Sequence, residues 1–418
     1  MRRRLAIFLA IAFLAGCGGN DSGNDSGDGA APPPVQGPGS SGVNGDFPPP
    51  SAASPGYNGG FVAASGGNVV PVYFESGSSP TYSSNIPYVD VQVCMPGTTR
   101  CVTIDHVQVD TGSTGLRVMK SALSGLDLPV QTNSSDGSQV DECMLYATSE
   151  VWGPVVHGDL HVGGEAAANL AMQVIDDGSG ASSVPASCSS KGALTDTVES
   201  FGGKGIIGIS QLFSDSGDYY ACSGSSCSLS STSPVTVTNP VAAFDGDNNG
   251  VSLQIPPVSD FGAPSVVGQL IFGIGTHINN QIAGAAVLYT DGNGYVQVGD
   301  GKNRMLGFVD SGTASYFFPT DGRIPICSDN APWYCPPSPL SVDVDVLAVD
   351  GSSDRQMTYR LSSADGISQD MQVAPIGESG SVFGDGGSWY VLGLPFYFNR
   401  RVYGSIQHQD GDPMYYAL

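Results

Sequence analysis

Two short turns in this chain each carry one carboxylate on the same pattern: Asp110-Thr111-Gly112-Ser113 and, 200 positions later, Asp310-Ser311-Gly312-Thr313. VTIDHVQV leads into the first and MLGFV into the second. Both lead-ins are apolar or alternating β-forming runs that break at a Gly, so each Asp is expected at the tip of a strand. Two such tips facing each other make a carboxylate pair. Carboxyls held that close cannot both ionise cheaply, so one keeps a proton. The ionised member can then serve as general base toward a water while the protonated member donates to a carbonyl, with no covalent intermediate. Ser113 and Thr313, three residues after each Asp, offer hydroxyls that can orient the outer carboxylate oxygens. Gly112 and Gly312 let backbone N–H groups come close.

Other chemistry finds less support. His157 and His161 lie four apart without a Glu or a third His nearby, so no zinc site is expected. Asp245, Asp247 and Asn249 before Gly250 match the start of a calcium loop, but the twelfth position is Pro256 where that loop needs Glu. A turn is expected there. GxSxG, HExxH and a phosphate-cradling Gly loop ending in Lys do not occur. Neither a metal nor a cofactor is expected.

The elements that must position the two Asp turns are β-strands. Charged residues make up only 13% of the 418, and short Val/Ile/Tyr/Phe runs are broken by many of the 58 glycines, which is the profile of a mostly β protein. NVVPVYF reads as a strand, with order expected to begin near Asn68. PYVDVQVC and CVTIDHVQV alternate on either side of MPGTTR, a hairpin that feeds into Asp110. MLYATSEVWGPVVHGDLHVGG reads as a second hairpin with its tip near residues 148–151. GKGIIGIS and SWYVLGLPFYF are buried apolar strands, so each half of the chain holds an Asp turn followed by an apolar-apolar-Gly strand: Ile206-Ile207-Gly208 and Val391-Leu392-Gly393. Short helices are allowed near AAANLAM and SALSGL.

The start of the chain reads as an export signal over residues 1–16: Arg2, Arg3 and Arg4, an apolar stretch, then Leu14-Ala15-Gly16-Cys17 in the form of a bacterial lipobox, with Cys17 the residue to be lipidated. Gly18 fits sorting to the outer membrane. Residues 18–60 hold 12 Gly and 8 Pro in 43 positions, so the span 17–67 is expected to be a disordered tether. An N-terminal lobe over 68–235 and a C-terminal lobe over 236–418 follow, divided near the Ser/Thr/Pro-rich residues 228–240. Loss of the three leader arginines takes the formal charge from −24 to −27, which excludes nucleic acid and anionic surfaces as partners of the exported chain. Membrane contact is then expected through the lipid alone.

Nine cysteines become eight once Cys17 is lipidated, and an even number in an exported chain points to disulfides. Proximity pairs Cys94 with Cys101, Cys222 with Cys227 and Cys327 with Cys335. Elimination leaves Cys143 with Cys188, although the sequence leaves connectivity open.

From Asn68 to Leu418 these residues resemble the pepsin-like aspartic peptidases. VDTGSTGLRV looks like that family's first active-site turn and FVDSGTASYFF like its second. GIIGIS and YVLGLP resemble the strands crossing behind each turn, and QLIFGIG a second-lobe strand ending in paired glycines. YATSEVWGPVVHGDLHVGG is similar to the flap hairpin, with Tyr146 at the place of the flap tyrosine. DNNGVSLQIP and the lipobox look closer still to a bacterial lipoprotein family held to share this fold. The resemblance implies a bilobal double-ψ β-barrel, Asp110 and Asp310 as catalytic pair, and Thr111, Gly112, Ser113, Ser311, Gly312 and Thr313 as their support. It also implies Tyr146 closing over a polypeptide substrate. Two positions depart from the family: Arg117 stands where a Trp steadies the flap tyrosine, and Ala147 where a Gly follows it. Arg117 itself reads as a surface or salt-bridged residue.

The leading expectation is therefore an exported, monomeric, lipid-anchored aspartic endopeptidase. A catalytically silent binder of peptide or polysaccharide on the same scaffold, or a purely structural envelope lipoprotein, would keep the fold without the reaction.

Overall fold

In the computed structural model, two sets of four strands repeat one connection pattern and deliver one Asp turn each. It describes residues 61–75, 84–147, 149–177, 184–230, 236–282, 284–300, 303–319, 321–328, 332–380, 389–408 and 412–418. The leader, Cys17 and most of the expected tether lie outside these residues.

In the first set, Cys101–Asp110 runs parallel to Gly205–Ile209, with Asp110 opposite Gly208. Thr114–Met119 returns antiparallel along the other side of that strand, and Glu165–Ile175 lies parallel beside it. The second set repeats this order. Arg304–Val309 runs parallel to Trp389–Leu392, Tyr316–Phe318 pairs antiparallel with that strand, and Gly377–Ser379 lies parallel beside Tyr316–Phe318. Each chain path leaves a strand, turns at the Asp and comes back on the far side of a strand inserted from later in the sequence.

The apolar-apolar-Gly pattern follows from that crossing. A Cβ on Gly208 would come 2.8 Å from the carbonyl carbon of Ser113, and one on Gly393 would come 2.0 Å from the carbonyl oxygen of Ser315. Only glycine lets the inserted strand pass so close to the turn.

A third group of strands joins the halves. Val69–Tyr73, Val267–Phe272, Gly250–Ile255, Arg400–Ser405, Tyr415–Ala417 and Val287–Tyr289 hydrogen-bond in that order, and Val69–Tyr73 also meets Tyr88–Cys94. One apolar cluster runs from Val70 and Val107 through Leu253 and Leu270 to Val346 and Leu392, so both halves share a core. The fold is mostly β and bilobal, in the pepsin-like arrangement that the sequence led one to expect.

Four disulfides close the loops: Cys94–Cys101, Cys143–Cys188, Cys222–Cys227 and Cys327–Cys335. Cys143–Cys188 spans 45 positions and ties the strand Gln139–Leu145 to the short helix Ala186–Ser189.

Three local expectations need adjustment. AAANLAM is not helical but lies inside the strand Glu165–Ile175, because pairing with Ser149–Val162 overrides the helical preference of its alanines. SALSGL forms only a 3-10 turn over Lys120–Leu123. Specific contacts also begin before Asn68: the N–H of Val62 donates to Gln254 and that of Ala64 to Gln269, pinning the approach to the joining sheet.

Candidate active site

Asp110 and Asp310 end their strands against one another at the seam between the halves. Asp110 is 3% exposed and Asp310 0%. Each carboxyl packs on the glycine of the opposite turn. A Cβ on Gly112 would come 2.6 Å from Cγ of Asp310, and one on Gly312 2.7 Å from Cγ of Asp110. The two carboxyls are thus brought into contact, with no room between them for a larger residue in either turn.

Their hydrogen bonds are related by the same pseudo-twofold. The N–H of Gly112 donates to Oδ1 of Asp110 and that of Gly312 to Oδ1 of Asp310, both at 2.8 Å. Ser113 Oγ donates to Asp110 Oδ2, and Thr313 Oγ1 to Asp310 Oδ2 at 2.5 Å. The turns also grip each other. Thr111 N–H donates to Ser311 Oγ at 3.1 Å and Ser311 N–H to Thr111 Oγ1 at 2.9 Å. The hydroxyls pass on to the opposite strands, Ser311 Oγ to the carbonyl of Val109 at 2.7 Å and Thr111 Oγ1 to that of Val309 at 3.3 Å. Tyr397 adds a bond to Thr111 Oγ1 at 2.8 Å. Four polar groups therefore hold the two carboxyls directly, on turns that the remaining bonds lock together.

Burial, and then the charge of Asp110 beside it, hold the Asp310 carboxyl well above the usual carboxylate range. The Thr313 hydroxyl and the Gly312 N–H oppose that rise without cancelling it. Asp310 thus carries a proton under conditions that ionise an ordinary Asp. The arrangement can present one base and one acid to a group above the pair.

Tyr146 stands at the end of the hairpin formed by Gln139–Leu145 and Ser149–Val162, its N–H donating to the carbonyl of Ser149. The first strand ends at Leu145 and the second begins at Ser149, slightly before the tip expected from alternation. The ring packs among Met119, Met144, Val151, Ile175 and Ile206, edge-on to Phe201. Its hydroxyl is buried with no hydrogen-bond partner among the described residues. The next residue, Ala147, lies against Phe308, Phe317 and Val391 of the second half, so the hairpin reaches across the seam. A small cavity of about 20 Å³ beside the dyad is bounded by Thr111, Gly112, Gln211, Tyr295 and Phe308 among others.

Arg117, expected as a surface or salt-bridged residue, is salt-bridged and lies in the interior. It is fully buried, and its Nη2 serves both Glu142 and Asp215, at 2.5 Å for Glu142 Oε1. Nη1 donates to the carbonyl of Thr114, at the foot of the first turn. Tyr219 OH closes the group by donating to Asp215 Oδ1 while accepting from Val237 N–H. Burial raises Glu142 well above its ordinary range against the opposing pull of Arg117. One guanidinium between two carboxyls, where the family resemblance led one to expect Trp, links the turn strand to the hairpin strand. The sign in the sequence was a lone Arg inside the otherwise apolar run TGLRVM.

The residues set aside for other chemistry stay outside this site. His157 bonds Gln131 and the carbonyl of Asn169, and His161 brings no third ligand. Asp247 accepts from Thr276 and from His277, and Asn249 braces Ile274 on both sides, as turn supports.

A family model described as "Protein of unknown function (DUF3443)" matches residues 64–416. No curated protein matches. Among solved structures, an aspartic proteinase from Irpex lacteus is similar over 84% of this chain and 96% of its own, at 14% identity and a TM-score of 0.49.

Proposed function

This chain belongs to the DUF3443 family, and for it we propose hydrolysis of peptide bonds by an aspartic-type endopeptidase mechanism at Asp110 and Asp310. The observation that carries the proposal is the contact between the two carboxyls, each held by one N–H and one hydroxyl, with Asp310 kept protonated by burial and by its neighbour. Asp110, as the ionised member, takes a proton from a water lying over the pair. Asp310 gives its proton to the carbonyl oxygen of the scissile bond as that water attacks. The tetrahedral intermediate then collapses with transfer of a proton to the leaving amine, and the pair returns to one shared proton. Tyr146 and the hairpin tip close over the strand-like substrate and exclude bulk water. In this reading the protein is an exported monomer held to the outer membrane by lipid on Cys17, with polypeptide as its substrate.

The direct test is incubation of the purified chain with a diverse peptide library from acid to neutral pH. Cleavage is expected, lost in Asp110→Asn and in Asp310→Asn, and blocked by peptides with a secondary alcohol in place of the scissile amide. Activity is expected to decline as pH rises through the elevated value at which Asp310 ionises, since the acid is then spent before the reaction. Cleavage that survives both substitutions would refute the dyad. Tight binding of the alcohol peptides without cleavage at any pH would instead favour the silent binder.

A further inference from the structure

We propose that the second half carries a separate binding site for a small amphiphilic anion, in a cavity of about 400 Å³ walled by Arg355, Arg360, Arg400 and Arg401. The cavity lies between the strand Asp354–Leu361, the 3-10 turn Leu394–Tyr397 with the residues that follow it, and Pro257, Val258 and Pro375. None of the dyad, hairpin or turn residues borders it. Along Tyr316–Phe318 the side chains alternate: Tyr316 lines this cavity, while Phe317 packs with Phe308 and Val391 beside the hairpin tip.

Charge makes the place unusual. The chain holds 15 Lys and Arg against 39 Asp and Glu, so cations should find carboxylates easily. Arg117, Lys120, Lys191, Lys204, Arg323 and Arg360 do so. Among the described residues, Arg100, Arg304, Arg355, Arg400 and Arg401 have no carboxylate within 4.0 Å, and three of these five wall the one cavity.

Arg400 and Arg401 are fixed by neutral acceptors, which orient a guanidinium without cancelling its charge. Arg400 donates to the carbonyls of Phe396, at 2.8 Å, and Thr358, and lies 4.7 Å over the Phe396 ring. Arg401 donates to Gln254 and to the carbonyls of Asn279 and Val62. Arg355 is exposed and makes no ion pair or side-chain hydrogen bond among the described residues, which leaves its fork of donors available. Arg360 alone is neutralised, by Asp260.

A concave site bordered by the uncompensated guanidinium groups of Arg355 and Arg400, with that of Arg401 bonded away from it to Val62 and Asn279, gathers positive potential and draws an anion. Phosphate and carboxylate heads match the planar guanidinium fork. Beside Thr358 and Asn399 the wall also carries apolar side chains, Val258, Met357, Pro375, Pro395 and Phe398, so an anionic head on a short hydrocarbon body fits better than a bare ion. Such a head could come from a soluble amphiphile or from a lipid.

Titration calorimetry of the full chain with hexyl phosphate, inorganic phosphate and hexanol tests this. One saturable site is expected for hexyl phosphate, weaker binding for inorganic phosphate, and none for hexanol. Arg355→Glu, on the surface and with no side-chain bond among the described residues, should weaken hexyl phosphate about tenfold or more while leaving the melting temperature unchanged. Met357→Trp should block the site by filling it. Sedimentation with phosphatidylglycerol against phosphatidylcholine vesicles separates the sources: retention on the former that is lost in Arg355→Glu assigns a lipid head, and no retention assigns a soluble ligand. Absence of saturable binding, equal binding of hexanol, or unchanged affinity in Arg355→Glu would each overturn the proposal. Because the readout is binding, it stands or falls apart from peptide cleavage.

Discussion

At the scale of single residues, the site depends on what is missing from Gly112 and Gly312. Each lies so near the opposing carboxyl that one added methyl must push the pair apart. Gly112→Ala is therefore expected to cut peptide cleavage about 100-fold, the order of loss that follows from displacing a reacting group by an ångström. Stability should fall only by the cost of that overpacking, about 1–3 kcal/mol, because Gly112 does not have a left-handed backbone that an alanine would strain further. Equal activity in the alanine variant would mean that the two carboxyls need not touch. These glycines, and the hydroxyls at Ser113 and Thr313, could be read from the sequence because the turn is a local pattern that occurs twice. The grip of Thr111 on Ser311 could not, since it needs two turns 200 positions apart to meet. Arg117 is legible in part. A lone charge in an apolar run reads as a surface or a salt-bridged residue, and it is the second, because Glu142 and Asp215 come from distant strands and loops to enclose it.

That enclosure acts between elements, joining Thr114–Met119 to Gln139–Leu145 and to the segment around residue 215. Arg117→Met would leave Asp215 and Glu142 buried without their cation, and denaturant unfolding is expected to show a loss of about 3–5 kcal/mol. Glu142→Gln should be far milder, because burial already favours the protonated form of that carboxyl and the amide preserves its shape. Another acid, the half-buried Glu378, lies in the short strand Gly377–Ser379 between Tyr316–Phe318 and a bridge to Trp333. Burial pushes its carboxyl up to about 7. An acid raised on folding adds its full stability below its unfolded value and loses it as pH climbs through the folded one, so the fold should weaken between about 4.5 and 7, by on the order of 3 kcal/mol. Glu378→Gln should flatten that slope in thermal melts across the same range, and an unchanged slope would assign it to another group. Most strands here were legible from alternation and from their glycines. The failure at AAANLAM is instructive, because three alanines favour a helix until the neighbouring strand Ser149–Val162 claims their backbone hydrogen bonds.

For the whole molecule, the pattern of two related halves was legible because the repeat lies in the sequence itself, whereas the closeness of the cleft was not. Asp310 is 0% exposed and Asp110 3%, and Ala147 crosses from the hairpin to rest on Phe308, Phe317 and Val391. On the proposed reading a polypeptide reaches the dyad when that contact opens, and the hairpin acts as a lid. Closure then has to be favourable enough to exclude water during the reaction, yet weak enough to open for each substrate, which fits a contact made by one methyl group rather than by a large side chain. Ala147→Asp puts a charge against that aromatic wall and should shift the hairpin toward open. The expected result is about a tenfold lower kcat/KM on peptides, with faster hydrogen exchange at residues 145–149 and no loss of global stability, since the site is a rim contact and not the shared core. If exchange quickens while kcat/KM holds, closure is not part of the catalytic cycle, and Tyr146 would need no role beyond its packing against Phe201.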